Sequence, residues 1–200
     1  MSRTARDPET SLLLDLLAEA YERKSWHGTN LRGSFRGMTA AEAAWRAGEG
    51  RPNAWELALH AAYWKYAVRR KLTGEKRGSF ALEGSNWFRR PAGEPDEAAW
   101  KADLALLGAE HRALVAAVAE RLPALAGAAR AKALHLVRGV AAHDLYHAGQ
   151  CAWMCARSLD ELLRSTGADL PGAYKYYARV VELREKLDAV GLLSTDPLKP

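Results

Sequence analysis

The chain has 200 residues, 48% hydrophobic and 26% charged, with a formal net charge of +5. That size and balance fit one globular domain, and no run approaches the about 20 uninterrupted apolar residues of a membrane span, so membrane-spanning and disordered classes are excluded. The N-terminus carries Asp7 and Glu9 and breaks its apolar run at Asp15, which lacks the basic-then-apolar plan of a secretory signal and predicts a cytoplasmic protein.

Apolar residues at three- and four-residue steps predict a first helix over about residues 8–25, with Leu12, Leu13, Leu16, Leu17, Ala20 and Tyr21 on one side. The glycine-rich stretch 27–53 is an ordered connection. Within it, "MTAAEAAW" starts a short helix, because Thr39 and Glu42 have the spacing of a capping box. A second long helix follows Asn53, carries a stripe of Trp55, Leu59, Ala62, Tyr63 and Tyr66, and stops at Gly74. From Glu75 to Pro95 the periodicity vanishes. A segment of that length inside a compact domain marks a functional or crossover connection.

The third helix runs from Asp96 to Pro123, with Trp100, Leu104, Leu107, His111, Leu114 and Val118 near one stripe. The fourth covers about 129–158, and a loop at "STGADLPG" leads to a terminal helix over 173–190. No strand pattern or repeat is present. The expected fold is therefore all-α: a four-helix bundle over residues 1–172, with a C-terminal helix and tail, 173–200, docked on the same domain. The long second link makes helices two and three parallel, which gives an up-down-down-up order.

Lys65, Arg69, Arg70, Lys71, Lys76 and Arg77 form the one basic cluster, read as a solvated helix end where the helix dipole favours cations. No recognised DNA-reading motif accompanies it, so no specific nucleic-acid partner is expected. Cys151 and Cys155, four apart on a helix, are too distant for a disulfide and read as thiols, Cys151 as a core residue rather than a ligand.

The chemistry concentrates in "GVAAHDLYHAGQ". His143 and His147 stand one turn apart on one helix face, about 5–6 Å between Cβ atoms, so both imidazoles can reach one metal. His60 is the best third ligand, because it lies inside the apolar stretch "WELALHAAYW", and metal binding explains such burial better than an unpaired ring. Three protein ligands leave an open position, the pattern of catalytic metal sites. Glu56, one turn before His60, either orients that ring or is a surface charge. Tyr146 and Gln150 flank His147 and either hydrogen-bond a bound water or substrate or cap the buried face of the helix. His27 approaches the mouth of the site or sits exposed in its loop, while His111 and His135 read as packing or surface residues. "HDLYH" differs from the zincin pattern H-E-x-x-H by Asp144, which is a methylene shorter than the required base, and no sheet accompanies it; a peptidase is not expected.

Together "SWHGTNL", "TAAEAAW", "NAWELALHAAYWKYAVRRKLTG" and above all "GVAAHDLYHAGQ" resemble the DinB superfamily, in particular its metal-dependent, YfiT-like and thiol-transferase branches, over about residues 9–157. The resemblance implies a bundle with a central divalent metal, zinc or nickel before manganese or iron, held by His60, His143 and His147. It also implies a bacterial protein, associated with stress response, that transfers a low-molecular-weight thiol such as bacillithiol or mycothiol to an electrophile, or hydrolyses a small molecule. A homodimer is permitted, and Tyr146 and Gln150, from their place beside His147, are the catalytic candidates. Pro52 and Asn53 depart from the His-Ser pair often found there, and the tail after Gly172 is an addition. Two alternatives remain: a metal- or ligand-binding stress-response module without turnover, and a helical structural protein without metal.

Overall fold

The computed structural model describes residues 7–166, with side chains through Met154. The chain divides into two compact units, Met1–Cys155 and Ala156–Pro200, and the candidate site belongs to the first. The expected helix over 173–190 lies outside the described residues. Six α-helices follow in order: α1 (Pro8–Tyr21), α2 (Leu31–Ser34), α3 (Ala40–Ala44), α4 (Ala54–Thr73), α5 (Glu97–Arg121) and α6 (Gly127–Thr166). No strand forms among the described residues, and no helix among them is long and apolar enough to cross a membrane.

Local chemistry sets the helix ends. Asp7, Asn30, Thr39, Asn53 and Asp96 each cap an N-terminus by accepting a backbone N–H, and Thr39–Glu42 and Asn53–Glu56 close complete capping boxes. Gly74 ends α4 at φ +79°, a conformation that a Cβ would oppose. The first helix stops at Tyr21, short of the expected residue 25. Arg23 folds its amide back to Ala18, and Asn30 ties its side-chain amide to the Arg23 carbonyl at 2.8 Å, so the charged run "ERK" belongs to a turn. Leu12, expected on the apolar side of α1, is 69% exposed. At the other end of the chain, α6 continues to Thr166, past the expected residue 158.

Cross-helix contacts decide the topology. Arg130, early in α6, reaches Asp7 and Glu9 at the start of α1, so these two helices are parallel. Tyr21 at the end of α1 stacks on His111 of α5 at 4.0 Å, while Leu13 and Leu17 share a cluster with Val118 and Leu122, which makes α1 and α5 antiparallel. Early in both α4 and α5, the Trp55 indole donates to Asp103 at 2.7 Å; later in both, Arg69 reaches Glu110 at 3.2 Å. Those helices are parallel, and the irregular link between them must return along the bundle. Because Val68 shares its cluster with Val137 and Val140, whereas Trp55 shares its own with Cys151 and Met154, α6 runs antiparallel to α4. The order is up-down-down-up.

From Ala54 to Ala62, every residue of α4 is buried. A helix stretch buried on every side belongs at the centre of a domain, and its alanines let neighbouring backbones come close. His60 is therefore carried on the longest unbroken buried stretch among the described residues, facing the middle of α6.

Candidate metal centre

Two turns of α6 and one of α4 bring His143, His147 and His60 together, with ligand nitrogens all within 4.8 Å of one another. The His143 Nε2 lies 3.1 Å from the His60 Nε2 and 2.9 Å from the His147 Nε2. His60 and His147 are buried and His143 is half-buried. Burial is the main reason that all three titrate low. His143 is pushed down to about 3, with the neighbouring rings and Lys65 adding to the effect; His147 falls to about 4 against the opposing hydrogen bond that it donates to Gln150; and His60 is also lowered, although its bond to Asn86 resists. At neutral pH the three rings are uncharged.

A neutral imidazole carries one N–H and one lone pair. The His60 Nδ1 sits 2.8 Å from the Asn86 carbonyl, which only accepts, so the proton is on Nδ1. The His147 Nδ1 likewise donates to the Gln150 Oε1 at 2.6 Å, and the Gln150 amide in turn donates to the Tyr146 hydroxyl at 3.1 Å. Both rings thus aim a bare Nε2 lone pair at the His143 Nε2. That atom holds at most one proton and satisfies one of the two. A cation at the common point satisfies all three, and the carbonyl and amide oxygens behind the rings are the partners that fix the tautomer of metal-binding histidines. The His143 Nδ1 has no hydrogen-bond partner among the described residues.

The irregular link supplies residues that periodicity does not reveal. Asn86 adopts φ +67°, which asparagine tolerates better than most residues, and from there its carbonyl holds His60 while its side-chain oxygen accepts the Trp64 indole N–H at 2.9 Å. Trp87, half exposed, stacks flat on His60 at 3.9 Å and 9°. The one sequence signal for these residues was the length of the unpatterned segment that contains "SNWF".

Several readings change with the tertiary structure. Glu56 is neither an orienting group for His60 nor a surface charge: it is buried, its carboxylate bonds Arg46 and the Arg90 and Asn53 amides, and against the upward push of burial those bonds hold its carboxyl below the ordinary value. Lys65 is not part of a solvated cluster. It is fully buried and paired with Asp144, whose carboxyl burial pushes up while the ammonium opposes. Arg69 likewise is committed to Glu75 and Glu110. Asp144, the residue at the zincin base position, therefore faces the core rather than the three histidines. Gln150 acts on His147 and Tyr146 stands 57% exposed at the rim, its ring 5.2 Å from that of His147. Cys151 is a buried core residue, as expected, while the side chain of Cys155 lies outside those described. His27 and His135 are exposed and stand outside the histidine group, whereas His111 is buried against Tyr21.

The sequence profile of the DinB superfamily matches residues 25–151, more than half of the chain and the stretch that holds all three histidines. The chain belongs to the DinB superfamily. Comparison with curated proteins and with solved structures returns no significant match.

Proposed function

We propose that this DinB protein holds one divalent metal, zinc or nickel before manganese or iron, on His60, His143 and His147, and uses it on a small molecule as a thiol S-transferase or hydrolase. The observation that supports this reading is the proton count: two tautomer-fixed rings direct lone pairs at a third that can satisfy only one of them. A divalent cation supplies Lewis acidity there, lowering the pKa of a thiol or water that binds it. The protein's own groups do the rest. Asn86 and Gln150 keep the His60 and His147 lone pairs turned inward; Trp87 shields one face of His60; and the Tyr146 hydroxyl, tied to Gln150, is the rim group placed to orient an incoming thiol or water.

Metal analysis of protein purified without added ions tests the first step. One equivalent is expected, lost in both His143→Ala and His147→Ala; retention in both variants rejects the site. For the reaction, bacillithiol, mycothiol, glutathione and coenzyme A are offered with monochlorobimane, where a C–S bond forms, chloride leaves and the thiol proton passes to solvent. Conjugation is expected to need metal and to stop with a chelator. A binding module without turnover is the second reading, favoured by one feature: among the described residues no carboxylate joins the histidine group, since Asp144 is held by Lys65. Bound metal without conjugation or ester and amide cleavage selects it.

A further inference from the structure

A surface cavity of about 540 Å³ lies between the outer side of α4 and the crossover segment near residues 77–85. None of the chemistry above uses it. Its size falls within the range of about 300–1,000 Å³ typical of small-molecule sites. Tyr63 and Trp64 from α4, both half-buried, form an aromatic wall, backed by buried Tyr66 and Phe80, with ring separations of 5.5 Å from Tyr63 to Phe80 and 5.3 Å from Tyr66 to Phe80. Arg70, Lys71 and Arg77 also line it. Unlike their neighbour Arg69, which is neutralised by Glu75 and Glu110, these three make no ion pair among the described residues. Glu83 is the one acidic residue in the lining. The dipole of α4 accounts for cations in its last turn, where Arg70 and Lys71 stand, yet it accounts neither for Arg77, which lies beyond the helix end, nor for the aromatic wall beside them.

We propose that this cavity binds a small organic anion with an aromatic body, its acidic group held by Arg70, Lys71 and Arg77 and its ring by Tyr63 and Trp64. Cations gathered at a recess, rather than strung along a helix face, suit one compact anion better than a phosphate backbone. The inference stands whether or not the histidines hold a metal. It does carry a consequence for them, because Trp64 belongs to both places: it lines the cavity, its rings lie 6.3 and 6.1 Å from His60 and His143, and its indole N–H bonds the same Asn86 whose carbonyl fixes His60. A ligand in the cavity touches the residue that braces the histidine centre.

The indole N–H resonance of Trp64, assigned with Trp64→Phe, reports occupancy in 15N-labelled full-length protein titrated with 1-naphthyl phosphate. A shift that saturates at one equivalent is expected. The Arg70→Gln/Lys71→Gln/Arg77→Gln variant should bind about tenfold more weakly or worse, and neutral 1-naphthol should bind wild type about as weakly as that variant binds the phosphate. Glu83→Gln should tighten binding. The same titration on His143→Ala/His147→Ala should still give a saturable shift, so failure of the metal reading leaves this result standing. No saturable Trp64 shift, equal affinity for the phosphate in the triple variant, or equal affinity of wild type for naphthol and its phosphate would each overturn the proposal.

Discussion

The two ends of the bundle interior are made of different material. Away from the histidines the core is aliphatic: Leu13 and Leu17 of α1, Leu114 and Val118 of α5, Val137 and Val140 of α6. Around the start of α4 it is aromatic, with Trp55, Trp100, Phe35, Phe80 and Phe88, and polar groups are threaded through it, including Asn53, Glu56, His60 and Asp103. Aliphatic side chains contribute burial and ask nothing of their neighbours. Indole rings contribute area and an N–H that must be met: Trp55 bonds Asp103, Trp64 bonds Asn86 and Trp100 bonds the Met38 carbonyl. One end holds the bundle together, and the other aims groups at fixed points. Lys65 and Asp144 mark the border, with the ammonium 4.9 Å from the centre of the Tyr21 ring.

The largest effect should come at that border. Replacing either Lys65 or Asp144 by alanine strands its partner's charge in the core and is expected to cost about 3–5 kcal/mol in urea unfolding. The double change Lys65→Met/Asp144→Leu should recover most of that stability, because apolar groups of similar volume then fill the site. A double variant as unstable as the singles would mean that the pair does more than balance charge. Next in size, Leu114→Ala in the aliphatic end should cost about 3 kcal/mol through the cavity it leaves, with metal content unchanged. Loss of metal in that variant would show the two ends to be coupled and dissolve the distinction drawn between them.

A pH series sharpens the comparison from α5. His111 is buried, and burial followed by the charges of Lys65 and Arg112 pushes its pKa down to about 3. In the unfolded chain it titrates near the ordinary value of about 6.5, so between those limits the unfolded state binds a proton that the folded state refuses. Stability therefore rises with pH across this window and is lost as pH falls, by about 2 kcal/mol between pH 6.5 and pH 5. Urea midpoints of His111→Phe should vary less with pH than wild type; identical pH slopes would remove His111 as the source. The smallest effect is the most local. Gln150→Ala leaves the three ligands in place but frees the His147 ring, and metal affinity should fall about tenfold with no more than a small change in stability. Unchanged affinity would show that the hydrogen bond does not orient the ring.

Much of this molecule follows from short-range patterns. Thr39 with Glu42, Asn53 and Gly74 mark helix ends through bonds to residues at most four away, and the 3.6-residue period places Trp100, Leu107, His111 and Leu114 on the face that is in fact buried. The pair His143 and His147 is legible for the same reason: one helix carries both rings, and its own repeat stacks them. Its junction with His60 was open to inference because an imidazole in an apolar helix needs a partner.

What sequence alone could not assign were the roles that depend on which element lies opposite. Lys65 reads as one charge among several at a helix end until α6 sets Asp144 against it, and Glu56 reads as a neighbour of His60 until Arg46 and the Arg90 amide claim it. Asn86 and Trp87 occupy a segment without a period, so nothing local indicates that its backbone would hold His60 and its indole would cover the ring. Sequence by itself determined the four long helices, the caps at Thr39, Asn53 and Gly74 and the histidine pair, because backbone hydrogen bonding and helical repeat act over a few residues, and the length of the unpatterned link determined the parallel crossover. Tertiary structure alone decided which buried charges are paired and which way each imidazole turns, because a polar group taken out of water is governed by whatever partner the fold brings within about 3 Å of it.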